Sequence, residues 1–115
     1  MKKVRIVLSK QAEEVYRYLI SVAEKSKINA SILRSINSKK DLIRENVHYG
    51  DSIPKNLIPL EYKKLGVTNL FRIELPNFWR MLYTLTDGET KIEIIAFVLS
   101  IVDHKEYNKK FGYKG

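Results

Sequence analysis

Arg72, Glu74 and Arg80 are the residues of this chain whose types and spacing best suit chemistry. They fall in two alternating stretches, 69–75 and 79–85, separated by Pro76-Asn77-Phe78, which read as strand, turn and strand. Antiparallel pairing through that turn sets Glu74 opposite Arg80. Arg72 then lies two residues from Glu74 on the same face, because strand side chains repeat every two residues. Two guanidiniums on one face can hold phosphate oxygens and stabilise the charge that builds up in phosphoryl transfer. His104 closes the last predicted strand, and an imidazole or a tyrosine hydroxyl can move a proton. Lys105, Tyr107, Lys109, Lys110 and Tyr113 follow it. In residues 104–115 four lysines against Glu106 leave +3. Together these residues predict a basic groove between a sheet face and the C-terminal segment. Its lysines suit RNA phosphates and its aromatic rings suit stacked bases, so Lys105, Lys109, Lys110 and Tyr113 are nucleic-acid-binding candidates. The same residues also fit a plainer reading. Glu74 and Arg80 would then be an exposed cross-strand ion pair, His104 a backbone-bonded residue at a helix start, and the lysines solvated surface.

Other chemistries find less support. The chain has no Cys, which removes disulfides, thiolate metal sites and cysteine nucleophiles. Its two histidines, His48 and His104, are far apart and lack an acidic cluster, so no metal site is expected. The glycines at 50, 66, 88, 112 and 115 are scattered, so no phosphate-cradling loop forms, and no nucleophile-elbow motif occurs. No cofactor is expected. His48, in a turn-rich stretch beside Tyr49, reads as structural.

These residues need a scaffold, and the hydrophobic periodicity supplies one. Residues 4–8 form a β-branched first strand stopped by Ser9, which can cap a helix over about 10–25. Ala12, Val15, Tyr16, Leu19, Val22 and Ala23 draw one apolar stripe on that helix. A second helix over about 28–45 follows the stripe Ile28, Ile32, Ile36, Ile43 and Val47, and the short join predicts a helical hairpin. Residues 48–66 break the period with Gly50, Pro54 and Pro59, leaving room for one helical turn at 59–64. Asp87-Gly88 then signals a hairpin into 91–102, of which 94–102 is apolar on both faces except Ser100 and therefore suits a central strand. Asp103 with Glu106 three positions on resembles a capping box for a short basic helix. On the paired strands Phe71, Ile73, Leu75, Trp79, Met81, Tyr83 and Leu85 share the core face, leaving Arg72, Glu74 and Arg80 on an open one. The expected architecture is α+β: an N-terminal strand and helical hairpin on a mainly antiparallel sheet, then a C-terminal helix.

Composition sets the frame. The 115 residues suit one domain, 1–115, with a single core. With 44% hydrophobic and 30% charged residues the chain is globular rather than disordered. No apolar run approaches the roughly 20 residues of a membrane span. The stretch after Met1 is too short for a signal peptide core, so a cytoplasmic protein without a membrane partner is expected. Lys and Arg total 21 against 13 Asp and Glu, a formal +8 that points to an anionic partner.

The strand pair Asn69-Leu70-Phe71-Arg72-Ile73-Glu74-Leu75 and Trp79-Arg80-Met81-Leu82-Tyr83, followed by Ala96-Phe97-Val98-Leu99-Ser100-Ile101-Val102-Asp103-His104-Lys105, resembles the RelE/ParE toxin superfamily. The resemblance implies a twisted, mainly antiparallel sheet behind a helical hairpin. It implies either a RelE-like toxin, a ribosome-dependent and metal-independent mRNA endonuclease neutralised by an antitoxin protein, or a ParE-like inhibitor of DNA gyrase. A non-catalytic RNA- or protein-binding module of the same fold is the further alternative. By position, Arg72 matches a basic residue of the sheet face, and Arg80 matches the arginine that contacts the scissile phosphate. His104 matches an Arg or His near the catalytic centre, and Tyr107 and Tyr113 are candidates for a C-terminal tyrosine. Glu74 departs from the pattern, since it stands where RelE-like toxins carry a second catalytic lysine. A carboxylate there is either a general base or a partner that neutralises Arg80. The connector 48–66 is also longer than in compact members.

Overall fold

The computed structural model describes residues 3–90 and 92–112. Strand β1 (Lys3–Leu8) passes through Ser9 into helix α1 (Lys10–Val22), and α2 (Lys27–Glu45) follows. The Ser9 hydroxyl accepts from the Ala12 amide at 3.1 Å and the Ser26 hydroxyl from Asn29 at 3.2 Å, so each helix starts on a side-chain cap. A two-residue strand β2 (Asp51–Ser52), a 3₁₀ turn (Lys55–Leu57) and the short helix α3 (Leu60–Lys63) fill the connector. Strands β3 (Phe71–Leu75), β4 (Trp79–Asp87) and β5 (Glu93–Val102) lead to α4 (His104–Phe111). Asp103 caps α4 by accepting from the Glu106 amide at 2.9 Å. The Glu106 carboxylate goes to Lys109 at 3.7 Å, so the predicted capping box is closed from one side. Gly112, at φ 71, ends the helix in the left-handed conformation that glycine takes without cost.

Among the described residues the five strands form one mixed sheet in the order β1-β5-β4-β3-β2. β1 runs parallel to β5, and the other three pairings are antiparallel. The chain is therefore an α+β fold with β5 and β4 at the centre, as the doubly apolar stretch 94–102 predicts. α1 begins where β1 ends and continues its work. The Gln11 amide exchanges two 3.1 Å bonds with the Ile101 backbone, standing in for a strand residue. None of the described helices is long and apolar enough to cross a membrane.

The helical hairpin covers one sheet face, packing Ala12, Leu19, Ile32, Ile36 and Ile43 on Phe71, Ile73, Leu75, Met81, Tyr83, Ala96, Val98 and Ile101. Ile28 does not join this core and is 56% exposed. The second face corrects the expectation of an open surface. Ile58, Tyr62 and Tyr107 from the connector, α3 and α4 bury Leu70, Leu82 and Val102 there. Those three apolar residues share the face with Arg72 and Arg80, and exposing them would forfeit roughly 1.5–3 kcal/mol apiece. A bulge reinforces this face: Leu82 pairs with Ser100 but Tyr83 with Val98, leaving Leu99 as the extra residue. Leu99 packs into the second cluster, and the Ser100 hydroxyl meets the Tyr62 hydroxyl at 2.6 Å.

Candidate functional site

Arg72 sits in mid-β3 and Arg80 near the start of β4, with Glu74 opposite Arg80 in the observed register. α4 lays Tyr107 between the two arginines. The Arg72 Nη1 donates to the Tyr107 hydroxyl at 3.3 Å, and the Arg80 guanidinium carbon stands 5.1 Å from the centre of the Tyr107 ring. Tyr107 is only 4% exposed and also packs on Phe111. The sequence singles it out as a catalytic candidate, and the structure places it beneath the arginines rather than beside them on the surface.

The two arginines differ in what remains to them. Arg72 also faces Asp51 of β2 at 3.4 Å. The Tyr107 bond, chiefly, raises its pKa further, against the opposing effect of burial and with help from Asp51. Arg80 donates to the Phe78 carbonyl at 2.6 Å, and among the described residues no carboxylate lies within ion-pair distance of it. Glu74 is exposed and is not ion-paired to Arg80, although the two residues are cross-strand neighbours. The Nε atoms of both arginines are buried without a hydrogen-bond partner. The Tyr107 contacts, the Arg72–Asp51 pair and the Phe78 carbonyl therefore hold the guanidinium heads at a cost in unmade bonds.

His104 opens α4 at the rim of this group. It is exposed, its Nε2 lies 3.2 Å from the Asn108 amide nitrogen, and its ring centre is 6.0 Å from that of Phe78. Arg72, Arg80 and Tyr107 thus meet directly, and His104 joins them through Phe78, which binds Arg80. The lysines divide. Lys105 is exposed beside His104, and Lys109 pairs with Glu106 along the helix. Lys110 turns inward, 3.0 Å from Glu61 and 5.4 Å from the Tyr62 ring, so it fastens α4 to α3. Tyr113 lies outside the described residues.

Three features of the site carry no strong sequence signal. Asp51 reads as a turn residue, yet β2 sets it opposite Arg72. A recess of about 200 Å³ lies beside Arg72 and Glu74, walled by Lys39 and Tyr49. Gly50 lets that wall close: a Cβ there would stand 3.0 Å from both the Arg72 carbonyl oxygen and Tyr83 Cε1. The Gly50 amide donates to the Tyr83 hydroxyl, which in turn donates to the Val47 carbonyl at 2.8 Å. Phe78 reads as part of a turn and stands at the rim, 71% exposed. Among the described residues no group of three or more His, Asp or Glu side chains gathers in a metal-holding arrangement. Comparison with protein-family models, with curated proteins and with solved structures returns no match for this chain.

Proposed function

We propose that this protein is a RelE-like toxin of the RelE/ParE superfamily, an endoribonuclease that cuts mRNA on the ribosome without a metal and is held in check by an antitoxin protein. The observation that carries the reading is the state of Arg80, a guanidinium fixed by the Phe78 carbonyl and the Tyr107 ring with no carboxylate within ion-pair distance among the described residues. A cation held that way is preorganised for an anion that arrives from outside. Glu74, across the strand pair and not spent on Arg80, is left to act as a base.

In the proposed reaction Glu74 takes the proton of a ribose 2′-hydroxyl, and the freed oxygen attacks the adjacent phosphorus. The bond from phosphorus to the 5′ oxygen breaks, leaving a 2′,3′-cyclic phosphate. His104 gives a proton to the departing 5′ oxygen. Arg72 and Arg80 stabilise the charge that gathers on the phosphate oxygens. Tyr107, buried beneath the guanidiniums, orients them and does not carry a proton. An apolar groove of about 310 Å³ between Leu65, Val67, Phe97 and Leu99 is the surface proposed for the antitoxin.

Expression of the wild-type chain should arrest growth and create new, translation-dependent mRNA ends. Arg80→Ala should abolish those ends while circular dichroism and the melting temperature show the fold intact. Undiminished cleavage by Arg80→Ala sinks the reading. Salt-sensitive RNA binding without any product would instead identify a non-catalytic binding module. DNA damage without new mRNA ends would identify a gyrase inhibitor.

A further inference from the structure

The turn between β3 and β4 holds two consecutive non-glycine residues at positive φ, Asn77 at 60° and Phe78 at 62°. Asn tolerates this left-handed region because its short polar side chain can bond locally, whereas a bulky aromatic residue is an outlier there. Such strain costs on the order of 1 kcal/mol or more and persists where the surroundings over-determine it. Burial does not repay it here, since Phe78 is 71% exposed. A tight turn calls for no aromatic ring at this position, and Gly or Asn would close it with less strain. The backbone is nevertheless pinned, because the Phe78 carbonyl accepts from Arg80 Nη1 at 2.6 Å. The ring stands 6.0 Å from that of His104, tilted at 58°, with the exposed Lys105 next in the chain.

An exposed aromatic face on a pinned backbone, beside a guanidinium with no carboxylate partner among the described residues, is the pairing that single-stranded nucleic acid uses. The base stacks on the ring and its phosphate meets the cation. A protein partner could bury the ring as well, but an arginine with no carboxylate partner among the described residues, with His104 and Lys105 at the rim, suits a polyanion better. Resting on the ribonuclease reading, we infer that Phe78 is a stacking platform for the base beside the scissile phosphate. The bond from Arg80 to its carbonyl ties the position of that base to the position of the phosphate.

The test translates a defined mRNA in a cell extract with purified protein and maps the ends by primer extension, alongside thermal melts. Phe78→Gly removes the ring and relieves the backbone. Cleavage should fall about tenfold, the scale of one lost base stack, while the melting temperature does not drop below wild type. Phe78→Trp keeps a stacking face and should cut at close to the wild-type rate. A purely structural role for Phe78 predicts the reverse for the glycine variant, with stability and activity lost together. Cleavage by Phe78→Gly at the wild-type rate overturns the platform and leaves the ribonuclease reading standing. Absence of cleavage by wild type overturns the reading, and the platform with it.

Discussion

Tyr107 joins the two arginines by two different forces, and the contribution of each can be separated. The hydroxyl accepts from Arg72 at 3.3 Å, whereas the ring face meets Arg80 at 5.1 Å. Tyr107→Phe removes the first contact and keeps the second, together with the packing on Phe111. A lost hydrogen bond to a charged partner is worth about 1.5 kcal/mol at the low end, appropriate for a half-exposed arginine. On the proposed ribonuclease reading, RNA cleavage by Tyr107→Phe should therefore fall about tenfold, and the melting temperature should drop by roughly 5–9 °C. A Tyr107→Phe variant indistinguishable from wild type would show that Asp51 alone orients Arg72. Arg72, Glu74 and Arg80 were legible as candidates because alternation along strands places residues on faces without knowledge of packing, and His104 because it follows the last strand beside a basic segment. The burial of Tyr107 was not legible, since it depends on the approach angle of a helix to a sheet.

At the scale of elements, α3 and α4 close the second face as a unit. Tyr62 reaches Ser100 of β5 at 2.6 Å, and Lys110 reaches Glu61 at 3.0 Å while lying against the Tyr62 ring. Burial, opposed by the Ser100 bond, raises the Tyr62 pKa above its ordinary 10.0. For Lys110 burial works against the charged form, but the Glu61 bond and charge, with Tyr62, outweigh it and leave the pKa above 10.5. Both groups keep their protons to higher pH when folded than when unfolded. Their contribution is complete below those ordinary values and is lost as pH rises through the folded values. The melting temperature should accordingly hold steady to about pH 10 and then decline. Tyr62→Phe should be less stable at neutral pH, having lost the Ser100 bond, and should show a shallower alkaline decline in the same melts. An unchanged decline would assign the alkaline loss to Lys110 and to Tyr83, whose pKa burial also raises. The strands, the hairpin and the start of α4 follow from periodicity and caps. The helical turn at 59–64 is also readable and forms as α3. β2 and the cover that α3 provides are not, because a two-residue strand leaves no period and a single turn does not show what it packs on.

For the whole molecule, the +8 charge sets how an anion is approached. If the chain binds single-stranded RNA as proposed, that binding should weaken linearly on a log–log plot against salt. Arg80→Ala should flatten that slope by about 0.7, the share of one phosphate contact. Anisotropy titrations at several salt concentrations read both, and an unaltered slope would remove Arg80 from the phosphate path. Charge, the strand alternation that pairs Glu74 with Arg80, and the three helix caps are local properties, and the amino-acid order by itself determined them. What became of the charge was decided in three dimensions. Lys110 is turned inward onto Glu61, Arg72 is shared between Tyr107 and Asp51, and Arg80 alone of the two arginines has no carboxylate partner among the described residues. The first two outcomes rest on contacts between residues far apart in the chain, such as 61 with 110 and 72 with 107. Only the burial of Leu70, Leu82 and Val102 under α3 and α4 brings those partners together.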